Sequence, residues 1–180
     1  EYNDRTINNK IIAGCTKISI YLTHLIVTTI SACIMIITSV FAVTVLGIIL
    51  IGPPDRTITQ YFYDLFCGCL AACAIASIAQ LILAVVRSKT TALIIGFFIS
   101  FVSLLLSGYC EYNLDYHLVE GMRKTICEYW MHIIPTGYLK EIQAGYIWLE
   151  NSPTPPVFML LIILTSIICG VIMILKIDTK

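Results

Sequence analysis

Four long stretches of this chain carry no charged side chain: Leu25–Ile51, Leu65–Val86, Thr90–Cys110 and Val157–Leu175. A hydrocarbon layer about 30 Å thick needs roughly 20 apolar residues of helix to cross it, and each stretch meets that length. Periodicity says little inside them, because they are apolar on nearly every side. Helix is nonetheless forced. In lipid an isolated strand leaves its N–H and C=O groups unpaired, whereas a helix satisfies them internally. The breaks fall at Gly52-Pro53-Pro54, Arg87-Ser88-Lys89 and Pro153-Thr154-Pro155-Pro156, where helix breakers or charges collect. The expected fold is all-α: a single polytopic membrane bundle with spans at about 20–51, 61–86, 90–112 and 156–176.

Composition enters here as an exclusion. The 180 residues are 58% hydrophobic and only 12% charged, with a mean hydropathy of +0.90. A soluble domain carries about 25% charged residues to face water. Eleven basic and eleven acidic residues give a formal net charge of zero. A nucleic-acid partner would require a basic face, so none is expected. The partner that this composition does imply is the lipid bilayer.

The positions of lysine and arginine orient the spans. Segments 1–19, 87–89 and 176–180 hold Arg5, Lys10, Lys17, Arg87, Lys89, Lys176 and Lys180. The longer connections 52–60 and 113–155 hold only Arg56, Arg123, Lys124 and Lys140, and the second also carries Asp115, Glu120, Glu128, Glu141 and Glu150. Both ends therefore read as cytoplasmic, and 113–155 as extracellular. Within that segment Leu118, Met122, Ile126, Trp130 and Ile133 recur at helical spacing with charges between them, which predicts an amphipathic helix ended by Pro135 and Gly137. Tyr138, Ile142 and Tyr146 form a second apolar set.

Two rows of small residues run along the spans: Gly68, Ala72, Ala76 and Ala84 with Gln80, and Gly96, Ser100, Ser103 and Ser107. Small residues at this spacing let helix backbones approach, and serines can hydrogen-bond across. Helix packing and the lining of a substrate path both account for them. Of the eight cysteines, Cys33, Cys67, Cys69, Cys73 and Cys169 sit inside apolar runs and read as small hydrophobes. Cys110 and Cys127 lie near the outer side and are candidates for a disulfide, although spacing alone derives no linkage.

Motifs for chemistry are missing. The chain has no G-x-x-x-x-G-K-[ST] loop, no H-E-x-x-H and no C-x-x-C pair. His117 and His132 show no convergent carboxylate pattern in the sequence. No catalytic set, metal site or cofactor is expected, and the chain does not read as an enzyme.

The start of the chain is more informative. Asp4 or Thr6 suits a helix N-cap, Ile7 and Ile11 share a face, and Gly14 suits a left-handed C′ position. Thr16 can cap the helix that follows. A short cytoplasmic helix set at an angle to the first span is expected. The run Glu1-Tyr2-x-x-x-Thr6-Ile7-x-Asn9-Lys10-Ile11-Ile12-Ala13-Gly14-x-Thr16-Lys17 resembles the cytoplasmic segment of ABC-2 type transporter permeases. There an E-x-x-x-G-T-[IL] start leads into a helix, a small residue, an [ST]-[RK] pair and a span; this chain has Arg5 where the family has glycine. The order of three spans, an outer segment with re-entrant or interfacial helices containing Pro-x-Gly, and a last span resembles the family as well.

The resemblance implies the membrane subunit of an ATP-driven exporter in a bacterial plasma membrane, carrying a peptide, drug or lipid-like compound. It implies a dimer with a second permease copy or a homologous one, and a separate ATPase subunit docking on residues 1–19. Glu1, Thr6, Ile7, Lys10, Ile11, Gly14 and Lys17 would form that coupling element. Such permeases have six spans, so two more would precede Glu1. The alternative is a four-span scaffold resembling tetraspanins, with both ends inside and a larger second outer loop. Against it, the outer segment is short and has no Cys-Cys-Gly signature.

Overall fold

A computed structural model describes residues 14, 16–50, 52, 57–86, 88–118, 120–144 and 154–177, which are almost entirely helical, with no strand among them. The helices are α1 (Lys17–Leu50), α2 (Ile58–Val86), α3 (Lys89–Asp115), α4 (Met122–Ile133), α5 (Pro135–Ala144) and α6 (Thr154–Ile177). Four of them, α1, α2, α3 and α6, are long and apolar enough to cross a membrane. That fits a multi-pass membrane protein.

The helix starts follow from local chemistry. Thr16 Oγ1 accepts a hydrogen bond from the Ser19 N–H at 3.2 Å and so caps α1. Ahead of α2, the Thr57 N–H donates to Gln60 Oε1 at 3.0 Å, half of a capping box. Ser88 caps α3 in an extended conformation. The first span ends at Gly52, which takes φ +108, a left-handed geometry that only glycine adopts at low cost.

At the centre of the bundle lies α2, with α1, α3, α5 and α6 packed around it. One core forms where Cys67, Ala71 and Ala74 of α2 meet Tyr138 of α5 and Met159 of α6. A second, at the other end of the bundle, joins Tyr21 of α1, Ala84 of α2 and Ile174 of α6. A third ties α3 to α4 through Cys110, Cys127 and Met131. The small α2 residues matter because a bundle surrounded on all sides has little room for long side chains.

The segment 113–155 differs from the sequence expectation in two respects. Its first helix stops at Ile133, Ile134 is extended, and Pro135 opens a second helix rather than terminating the first. Proline suits that first position because its missing N–H would have no helical partner there. Gly137 lies inside α5, where an added Cβ would stand 2.8 Å from Met131 Cα. The glycine therefore lets the two helices of the hairpin touch backbone to backbone. The expected apolar stripe is split as well. Leu118, Met122 and Ile126 are exposed, Met122 by 81%, while Cys127 and Met131 make the buried face with Trp130 beside them.

Candidate functional site

Residues 1–13, with Glu1, Thr6, Ile7, Lys10 and Ile11 of the expected coupling element, lie outside the described residues. Gly14 and Lys17 are described. Gly14 takes φ +88, the left-handed geometry the sequence suggested for it, and Lys17 opens α1 half-buried.

The α2 row lies along α1. Gly68 faces Ile36, whose Cγ2 would stand 3.5 Å from an added Cβ. Ala72 is buried, Ala76 half-buried, and Ala84 packs against Tyr21. Gln80 is buried and its Nε2 donates to Thr28 Oγ1 at 3.4 Å. The Gln80 Oε1 atom has no hydrogen-bond partner among the described residues.

The α3 row divides. Space beside Gly96 is open and Ser100 is exposed, but Ser103 and Ser107 both turn to the hairpin. Thr136 Oγ1 lies 2.6 Å from Ser103 Oγ and 3.2 Å from Ser107 Oγ. Trp130 Nε1 donates to Ser107 Oγ at 3.1 Å. Half of the row is thus a polar seat for α4 and α5.

Ion pairs complete the attachment. Lys140 of α5 reaches Glu111 of α3 at 2.9 Å, and His132 of α4 reaches Glu141 of α5 at 3.3 Å. Both pairs lie at a cavity of about 350 Å³ lined in part by Glu111, Asp115, His117, Glu128, His132 and Glu141. A carboxylate therefore does meet one of the two histidines, His132, which the sequence reading did not anticipate, while His117 only lines the same cavity. The lining residues come from α3, the turn after it, α4 and α5, so their chain spacing is irregular and no linear motif exposes them. The hydrogen bond to Glu141 raises the His132 pKa above its usual value, against a smaller opposing effect of burial. Burial, reinforced by Cys67, pushes the Tyr138 hydroxyl well above the usual tyrosine range.

The described cysteines are free thiols, and three of their settings bear on the packing. Cys110 and Cys127 lie in one buried cluster, with the two thiols in hydrogen-bonding contact. Cys33 Sγ approaches Cys73 Sγ to 3.4 Å between α1 and α2, a contact that the reading of these residues as mere hydrophobes missed. Cys67 sits against Tyr63 and Tyr138. No group of three or more His, Cys, Asp or Glu side chains among the described residues is arranged to hold a metal ion.

No family model, no curated protein and no solved structure matches this chain.

Proposed function

We propose that this chain is the membrane-spanning permease part of an ATP-driven ABC-2 type transporter, exporting a peptide, drug or lipid-like compound from a bacterial cell. The observation that carries the reading is the junction in front of α1. Gly14 takes a left-handed φ that a continuous helix does not hold, and Thr16 caps α1, so the first membrane helix starts afresh at Lys17. A coupling element needs such a break, because it must lie across the cytoplasmic end of the span rather than continue it. The outer segment supports the same reading: its paired helices, joined at Pro135, seat on α2, α3 and α6.

In this reading both ends of the chain face the cytoplasm, 113–155 faces outward, and an ATPase subunit docks on the apolar face of Ile7 and Ile11. A second permease copy, or a homologous one, supplies the other half of the path. Closure of the ATPases then moves the coupling element, and the polar break at Gly14 passes that motion to α1. This chain itself performs no hydrolysis.

The test is co-purification from membranes with an ABC ATPase encoded beside the gene. The double substitution Ile7→Asp, Ile11→Asp places charges in a contact that excludes water, which costs several kcal/mol when they are unpaired. Normal amounts of the protein in the membrane, with the ATPase lost and transport abolished, are expected. Unchanged ATPase binding would reduce the segment to an interfacial anchor and remove the coupling role.

A further inference from the structure

The hairpin's two helices are joined covalently through Ile134 and packed at Gly137, but a titratable contact links their side chains. His132 Nδ1 on α4 stands 3.3 Å from Glu141 Oε2 on α5. The Glu141 residue is only 8% exposed, so its carboxylate has little water and depends on a cationic partner. His132 is the partner with a proton to lose near neutral pH. We propose that the His132–Glu141 pair is a pH-sensitive clasp that holds α4 on α5 when the imidazole is protonated and releases it when the proton leaves.

The surroundings favour this pair over others at the cavity. Lys124 and Glu128 lie on α4 itself, 3.8 Å apart and well exposed, so their pairing is weak. From α3 come Glu111, already bound to Lys140 of α5, and Asp115, with His117 in the turn beyond. On the α2 side of α5, Tyr63 and Cys67 stand against Tyr138, with Asp64 acting on those two, and the Glu141 charge also reaches Tyr138. In α6 the first side chain that can ionise is Cys169, far along the helix from the hairpin. The Lys140–Glu111 tie, 2.9 Å long, holds α5 to α3 independently of His132. Release is thereby confined to α4, at the rim of the cavity. The clasp stands on hairpin geometry alone and does not depend on the permease reading.

The sign follows from linkage. A histidine whose folded pKa is raised stabilises the clasped form at low pH, and the stabilisation is lost as pH rises through the folded value. Deuterium exchange of the intact protein in lipid nanodiscs, corrected for intrinsic exchange and taken from about pH 6 to about pH 9, reads this directly. Amides of α4 should lose protection several-fold with a midpoint above 6.5, whereas those of α5 hold. Both His132→Gln and Glu141→Gln should abolish the step, and His117→Gln should leave it in place. Equal protection of α4 across the range in the unaltered protein would overturn the proposal, a readout that needs no variant to fold. So would a step that survives His132→Gln, or one that vanishes in His117→Gln.

Discussion

The two ends of this bundle are fastened by different physics. At one end Tyr21 is 1% exposed and lies against Gly170 of α6, with Ala84 and Ile174 closing the ring on either side. Shape holds that end. At the other, α4 and α5 are seated by Ser103, Ser107 and Thr136, by Trp130, and by the Lys140–Glu111 and His132–Glu141 pairs. Polar groups add to the packing at that end. In lipid there is no hydrophobic force between helices, because tails are as apolar as leucine; close packing and hydrogen bonds must do the joining. The comparison shows each of the two solutions in one molecule, and which one is used follows position. Ionic ties occur where the chain leaves the apolar spans, and ring-on-glycine packing occurs among the spans themselves.

The largest effect that would break this comparison is expected at the hairpin, from a residue that is not polar. An added Cβ at Gly137 meets Met131 Cα at 2.8 Å and the Trp130 and Met131 carbonyl oxygens at 3.0 Å. Those atoms are backbone and cannot rotate away. Gly137→Ala should therefore separate α5 from α4, costing about 3 kcal/mol, the upper part of the range for overpacking. Thermal unfolding in detergent would register this as a lowered midpoint, with the Tyr138 core opening first. An unchanged midpoint would mean that the polar ties, and not the close approach at Gly137, hold the hairpin.

A smaller effect is expected at the Tyr21 end. A Cβ on Gly170 would collide with the Tyr21 hydroxyl and ring, but here the obstacle is a side chain. Because Tyr21 is buried, it can yield only partly, and Gly170→Ala should cost about 2 kcal/mol. Adding Tyr21→Phe removes the hydroxyl and should return part of that loss. The two substitutions should therefore be non-additive in a double-mutant cycle, as residues in contact are. Strict additivity in the same unfolding assay would show that ring and glycine are not pressed together.

How much of this was legible in the sequence depends on the physics involved. The four spans were, because lack of charge over a membrane's thickness is a local property of the chain. The left-handed Gly14 and the Thr16 cap were, because both are written within three residues. The small rows were visible, but not their partners: nothing in Gly68, Ala72 and Gln80 says that Ile36 and Thr28 lie opposite. The outer segment was only half legible. Its apolar stripe is genuine in spacing, yet α4 turns Cys127 and Met131 inward and leaves Met122 exposed. Helical spacing finds a face and does not say which face wins when the neighbours on α3 are serines and a cysteine. The pairs Lys140–Glu111 and His132–Glu141 join residues 29 and 9 apart across different helices, so no periodic pattern contains them.

The smallest effect sharpens the comparison most, because it tests whether the α3 serines are fasteners or path lining. Ser107 is fully buried, accepts from Trp130 Nε1, contacts Thr136 and donates to the Ser103 carbonyl oxygen at 2.9 Å. Ser100, two turns away on the same row, is exposed. Interhelical hydrogen bonds in membranes average about 0.6 kcal/mol, so Ser107→Ala should cost roughly that amount. The loss should be local: faster amide exchange in α4, where Trp130 has lost its acceptor, and little change in α1 or α6. Ser100→Ala should leave both stability and exchange where they were. Should transport be measurable, the two also separate by function. A fastener at Ser107 weakens transport only in step with its loss of α4 protection. A path-lining serine changes transport with the hairpin's exchange unaltered, and that result at Ser107 would move it from the hairpin's seat to the substrate route.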